Sequence, residues 1–508
     1  MNLKKRALWN FSASLAYQFS TLLLGLILPK YYTEVFGSVY NGLNQTVSQV
    51  LSLLSVLQFG IAAVSIQQMF QYIAQNDEPS IAAIYWNTGK QYRKMGWVFL
   101  AVSVPILALF PLLIQDDLPK IIIVLFLLFR MIASAGEYFF QAKYTIILTA
   151  YNKSYVISVF NTVMLLFSTV LHFSVLFTVK NIILYQSVAL VATLVRLVVV
   201  YAYIRKNFGF LYRNKNAATV ADHKTKRKDA LISEIAGMVI DSTDLLVLST
   251  LSGLVNASIY SIYSFVTSGI GNVLSSCREA VFAGLGKTFF ADFDEFRRKF
   301  ERFESVYFLL TFYLYTTALL LFKSFILVYT KKMDATYYYV GLPILFVLAR
   351  LLVNLRIPAI VTINTAGHFS EVKKYAVIEA IINLCISLAL VKPLGIYGVL
   401  IGTISGALYR TPLLVRHSDK YILKRKGSRY LKKVGVWLPL PLIAYGISET
   451  VDMPVDTLAG WLLLAVAAAV GVLLLFILWS FVADRSTLKE CIGIVKMLLH
   501  RKKRTENQ

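Results

Sequence analysis

Apolar stretches of about twenty residues, each long enough to cross a bilayer as a helix, follow one another along almost the whole chain, separated by short polar breaks. About fourteen can be read: 7–29, 42–72, 94–114, 118–140, 154–178, 181–204, 231–251, 258–284, 304–329, 337–363, 374–391, 395–415, 434–448 and 458–483. Polar residues interrupt these runs at helical spacing. Arg130, Ser134, Glu137 and Gln141 fall on one helical face. So do Asn272, Ser275 and Glu279, with Arg278 beside them, and Glu379, Asn383 and Ser387. The first run carries Asn10, Ser14, Tyr17 and Thr21. The pattern predicts an all-α polytopic membrane protein.

Composition agrees. Of 508 residues, 57% are hydrophobic and only 15% charged, more apolar surface than a soluble protein of this size can bury. The net charge of +24 would suggest nucleic acid in a soluble chain. Here topology explains it. With the N-terminus on the cytoplasmic side, 38 of the 51 Lys and Arg fall in loops and tails on that side and seven inside spans. The opposite face holds only Lys30, Lys120, Lys180, Lys331, Lys332 and Lys392. That bias places both termini in the cytoplasm and leaves no reason to expect nucleic acid. The basic segments Arg205–Lys228, Arg416–Lys433 and Arg501–Arg504 would lie on anionic lipid headgroups.

A weak internal repeat organises the spans. Leu125–Arg130 (LFLLFR) matches Leu345–Arg350 (LFVLAR), and each is followed by Thr-Ala and a later Val-Ile. An offset of six spans suggests two six-helix bundles related by an axis along the membrane normal. The expected division is a bundle at 1–206, a basic cytoplasmic linker at 207–229, a second bundle at 230–418, a basic loop with two further helices at 419–484, and a basic tail at 485–508.

Charge in hydrocarbon is costly, about 2.5–3.5 kcal/mol per group on insertion scales, and marks function or pairing. Arg130 and Arg350 lie too deep to snorkel easily. They face either a water-filled cavity or buried partners such as Glu137 and Glu379. Asn354 follows Arg350 by one turn, with Arg356 beyond. Arg278 is nearer a span end and fits either snorkelling or a cavity; Arg196, Lys323 and Arg410 fit snorkelling. The candidate substrate-binding set is therefore Arg130, Arg350, Arg356, Arg278, Glu137, Gln141, Asn354 and Asn10. Asp241, Asp244 and Glu379 are candidates for coupling to protons or sodium. The row Gly398, Gly402 and Gly406 reads as close helix packing.

Several chemistries lack their residues. Cys277, Cys385 and Cys491 are scattered, and the five histidines form no H-E-x-x-H, so neither a disulfide framework nor a zinc site is expected. Gly286-Lys287-Thr288 resembles the end of a phosphate-binding loop, but Val281 stands at the position of its first glycine. Neither ATP-driven transport nor another cofactor is expected. The outer loops are short, leaving no room for the catalytic domain of a membrane glycosyl-transfer enzyme.

Four segments carry a family resemblance: FGSVYNGLNQTVSQVLSLLSVLQFGIAAVSIQQMFQYIAQND from Phe36, ILTAYNKSYVIS (147–158), STDLLVLSTLSGLVNASIYSIYSF (242–265), and TAGHFSEVKKYAVIEAIINLCISLALVKPLGIYGVLIGTISG (365–406). Their order resembles the polysaccharide-biosynthesis flippases, the Wzx-type lipid-linked oligosaccharide transporters of the MOP superfamily. The resemblance implies two bundles in a V around a cationic central cavity, alternating access, and a polyprenyl-pyrophosphate-linked oligosaccharide as substrate. It also implies a bacterial cytoplasmic membrane and other polysaccharide-assembly membrane proteins as partners. By analogy with the lipid II flippases of the same superfamily, the last two spans would line a lipid-tail groove. The rival within the superfamily is a cation-coupled multidrug exporter, which the arginines disfavour.

Overall fold

A computed structural model describes residues 3–55, 61–214, 242–425, 428–451, 453 and 455–485. Every regular element among them is helical. Among the described residues, ten helices are long and apolar enough to cross a membrane. The other expected spans are also helical where described, but interrupted or polar. The stretch 42–72 is split into Ser38–Leu54 and Ile61–Ala74. Of 231–251, only Ser242–Leu251 is described. The stretch 258–284 lies within Leu254–Ala291, which carries Arg278 and Glu279. The stretch 434–448 is broken into Ser428–Trp437 and Pro439–Thr450, because Pro439 has no N–H to continue the first helix. The linker residues 215–229 and the tail beyond 485 lie outside the described residues.

The chain divides into two compact units, Met1–Ser258 and Ile259–Gln508. In the first, α1 (Leu3–Phe36), α2 (Ser38–Leu54), α3 (Ile61–Ala74) and α4 (Glu78–Leu113) are followed by α5 (Lys120–Ala150), α6 (Ser154–Val179) and α7 (Ile182–Asn207). Helix starts are capped where the sequence provides an acceptor. Asp77 takes the Ser80 N–H at 3.1 Å, and Asn181 takes those of Ile183 and Leu184. The bonds from Ser80 hold the half-buried Asp77 carboxyl below its ordinary range. The core is aromatic and aliphatic, with Tyr85, Phe99, Phe126 and Ile147 buried. Trp97, Val198 and Val170 point outward, as surfaces facing lipid do.

Two segments of the family resemblance meet in this unit. The Asn41 amide donates to the Ser258 hydroxyl at 2.7 Å, and the Leu254 N–H donates to Asp116 at 3.0 Å. Gly42 lies so close to the Leu254 backbone that a Cβ there would overlap its carbonyl. Gly253, at φ 95°, makes the left-handed turn that brings Leu254 into place.

In the second unit, α8 (Phe293–Tyr329) is the deeply packed helix, with Phe300, Phe308, Phe312 and Tyr315 buried. Around it run α9 (Leu342–Leu355), α10 (Ile357–Ala366), α11 (Phe369–Leu394) and α12 (Ile396–His417). The glycine row on α12 meets α11 with almost nothing between. A Cβ on Gly398 would strike the Leu390 backbone, on Gly402 the Ser387 hydroxyl, and on Gly406 would lie 3.0 Å from the Glu379 carbonyl. The last helix, α13 (Leu458–Ala483), is apolar all round and largely exposed to lipid. It is held to α8 by the Tyr313 hydroxyl on the Ala469 carbonyl at 3.1 Å and by Trp461 on Ser324 at 3.2 Å.

Substituting Gly42→Val forces a branched side chain into the Leu254 backbone and should cost at least the ~1–3 kcal/mol typical of overpacking. Thermal unfolding in detergent should show a clear drop in Tm. Gly446→Ala, where the new Cβ meets nothing within 4 Å, should leave Tm unchanged or slightly raised.

Candidate functional site: charged groups within the membrane

In the first unit, α5 supplies Arg130, ten residues in from its Lys120 end. Its Nη2 donates to the Asn44 side-chain oxygen on α2 at 2.9 Å. Gln186 at the start of α7 approaches the same oxygen at 3.4 Å. The Arg130 Nε has no hydrogen-bond partner, and no carboxylate lies within ion-pair distance of its guanidinium among the described residues. Aromatic rings complete the surroundings. Tyr185 packs against His172 at 4.3 Å and against Tyr32 at 4.8 Å between centroids. The charge of Arg130 reaches all three. A guanidinium tethered to a neutral amide keeps its full charge for a ligand, and its planar fork suits phosphate oxygens.

The carboxylate on the same face of α5 is engaged elsewhere. Glu137 opens a π turn, Glu137–Gln141, and pairs with Arg196 of α7 at 3.4 Å. With its oxygen turned to Arg196, the Gln141 amide accepts from Nε at 2.9 Å. Arg196 is thus held by two groups of α5 instead of reaching for the interface. Asn10 works at a turn. Its Nδ2 donates to the Asn152 side chain at 2.9 Å, and its Oδ1 accepts the Tyr155 N–H at 2.7 Å, capping α6. Asp244 is buried on Ser242–Leu251. Asp241 lies outside the described residues.

In the second unit, the carboxylate of Glu379 lies between two arginines. Oε1 accepts from Arg356 at 2.5 Å and Oε2 from Arg410 at 2.7 Å. Arg356 occupies the break between α9 and α10, and Arg410 comes from α12. The same face of α11 places Asn383 on Thr403 at 3.2 Å and Ser387 on Asn383 at 3.2 Å, so this polar stripe faces α12. Asn354 is a buried junction, donating to the Tyr315 hydroxyl at 2.9 Å and to the Arg350 carbonyl at 2.9 Å. Arg350 itself is half-buried beside Tyr315. Arg278 is more open and lies 3.6 Å from the exposed Glu279.

Sequence reading missed a buried cluster beyond the end of α12. Arg425 grips Glu304 of α8 through two nitrogens, at 2.8 and 2.5 Å, and Asp419 at 2.8 Å. Burial opposes the Arg425 charge, but the bonds and charges of Glu304 and Asp419 outweigh it and push its pKa above the ordinary value. Lys433 donates to Ser305 one residue along. Glu304, eleven residues after the first residue of α8, was the available signal; its partner 121 residues away was not.

The geometry defines a multi-pass membrane protein whose units each carry charge inside the membrane. Comparison gives the class. Residues 7–283, more than half of the chain, match the family described as polysaccharide biosynthesis protein, and the chain belongs to that family. No curated protein matches it by sequence. Among solved structures it is similar to the lipid II flippase MurJ in an inward closed conformation, with a TM-score of 0.63 at 14% identity over 92% of this chain and 98% of that one. It is also similar to the MATE multidrug transporter DinF-BH, with a TM-score of 0.59 at 12% identity over 84% and 99%. A third is an inward-facing MATE family transporter of the MOP superfamily, with a TM-score of 0.58 at 10% identity over 82% and 98%. The chain shares the fold of these structures.

Glu379→Gln leaves two guanidinium groups facing each other in a buried site. Breaking such a pair costs about 3–5 kcal/mol. The expected outcome is a large loss of folded yield and Tm, partly restored by adding Arg410→Gln, which a double-mutant thermal series would detect.

Proposed function

We propose that the protein is a flippase that moves a polyprenyl-pyrophosphate-linked oligosaccharide from the cytoplasmic to the outer leaflet of a bacterial cytoplasmic membrane by alternating access. The observation that carries the reading is Arg130, a guanidinium inside the membrane held, among the described residues, by an amide oxygen alone. Family membership and the MOP fold support the same reading.

The physical task fits these parts. Each sugar hydroxyl costs about 2–7 kcal/mol to bury unpaired, so a glycan does not cross hydrocarbon unaided. Asn44, Gln186 and the tyrosines near Arg130 offer hydrogen bonds and ring faces, while the prenyl chain stays in lipid. Arg130, with Arg350 as its counterpart in the second unit, attracts the pyrophosphate. An inside-negative membrane potential assists outward passage of the anion by about 2.3 kcal/mol per charge per 100 mV. Arg356 holds its α9–α10 junction through Glu379, and Asn10 and Asn354 position helices. Glu379, engaged by two arginines, is unsuited to binding a cation, so coupling to protons or sodium falls to Asp244 among the described residues. The chain acts as a transporter and not as an enzyme, alongside the membrane proteins that build and polymerise the glycan. Export of cationic drugs, the other activity found on this fold, would set the cargo against the charge of Arg130.

The test is complementation in cells that lack the protein and any redundant flippase. Wild type should restore surface polysaccharide. Arg130→Ala, at matched membrane levels, should lower it at least tenfold and trap lipid-linked oligosaccharide on the cytoplasmic side, with Arg130→Lys intermediate. Normal polysaccharide and normal precursor in cells without the protein would overturn the reading.

A further inference from the structure

Beyond any substrate path, the second unit has a cleft of about 460 Å³ on its outer surface. It lies where α9, α12 and Ser428–Trp437 come together at the basic end of the spans. Its floor and walls are apolar, with Leu352, Leu355, Leu408 and Leu431 among them. Leu408 and Leu431 are 54% and 70% exposed, so the cleft opens sideways to hydrocarbon. Thr411, the hydroxyl on its floor, is used up on the Leu352 carbonyl at 3.1 Å.

The rim differs in chemistry. Arg416 and Lys420, one helical turn apart, line the same end and are exposed. Neither has a carboxylate partner among the described residues; Lys420 lies only over the Tyr421 ring at 4.9 Å. Arg425 also lines the cleft, but it is held by Asp419 and Glu304. With Lys433 behind the wall, four cations face two carboxylates, so the rim is strongly positive. Tyr421, 56% exposed, sits at the same level, as interfacial aromatics do.

We infer that this cleft is a binding site for one anionic phospholipid of the cytoplasmic leaflet. An acyl chain fills the leucine-lined cleft, and the headgroup phosphate sits between Arg416 and Lys420. A void open to hydrocarbon is filled by a lipid chain in any case; the unpartnered cations make the occupant an anionic one. The lipid would bridge α12 to Ser428–Trp437 beside the buried Arg425 cluster. It would thereby join the last two spans to the rest of the unit. The inference takes its leaflet from the orientation proposed above but requires no transport.

The test uses the full-length protein purified in detergent, with phosphatidylglycerol and phosphatidylethanolamine of the same acyl composition as probes, read by native mass spectrometry and by the rise in Tm. Wild type should retain phosphatidylglycerol in preference, and Arg416→Gln with Lys420→Gln should weaken that preference about tenfold. Lys373→Gln with Lys374→Gln, the same charge change on exposed positions elsewhere, should not. Leu408→Trp, which fills the cleft, should lower retention of both lipids. Equal retention of the two lipids by wild type, or equal loss in the two charge variants, would overturn the inference. So would tighter retention of undecaprenyl phosphate than of phosphatidylglycerol at the same residues, which would give the cleft to the carrier lipid. None of these results bears on whether the protein flips a glycan, which the complementation assay reads separately.

Discussion

A guanidinium group in hydrocarbon must be neutralised, hydrogen-bonded or hydrated, and the inner arrangement of both units follows from that constraint. Arg196, Arg356 and Arg410 are neutralised by carboxylates on neighbouring helices. Each pairing ties two helices at a fixed height, because neither partner can leave without exposing a bare charge. Arg130 is treated differently: among the described residues it keeps one hydrogen bond to a neutral oxygen and no counter-charge. Holding it there costs stability, a cost that the paired arginines avoid.

The C-terminal helices obey the same logic at the membrane boundary. They carry few polar side chains of their own, so they are fixed by bonds to backbone carbonyls, such as that of Ala469, and by tryptophans. Trp479 bonds the Val436 carbonyl at 3.0 Å, and Trp437 stacks on Phe476 at 5.2 Å. Arg425 then anchors the connecting segment to α8 through Glu304. Buried ion pairs contribute little net stability, but they select one register among many apolar alternatives.

Much of this was legible in the sequence, and the limits have a physical reason. Spans and polar stripes depend on residues three and four apart, which a sequence displays directly. The glycine row and the face shared by Glu379, Asn383 and Ser387 were visible separately; that they meet each other was not. Arg130 stood out as deep and charged, yet its neighbour Asn44 lies 86 residues away in the chain, and Gln186, which shares that oxygen, lies 142 residues from Asn44. Arg196 and Arg410 looked free to reach the interface because their carboxylates lie on other helices. Asn10 looked like a cavity residue because the turn it caps begins at Asn152. In each case chemistry was readable and adjacency was not.

The contact between α11 and α12 has a mechanical consequence. Where glycine lets two backbones touch, no layer of side chains remains to shear, so the pair moves as one plank. Any change of shape in a working cycle must then be taken up where the helical ladder already has slack. The chain places slack at matching points: a π turn seven residues after Arg130, and a break six residues after Arg350. Each of these arginines therefore rides on a short lever next to a joint, so a modest bend there would swing the charge while the tightly packed helices stay put.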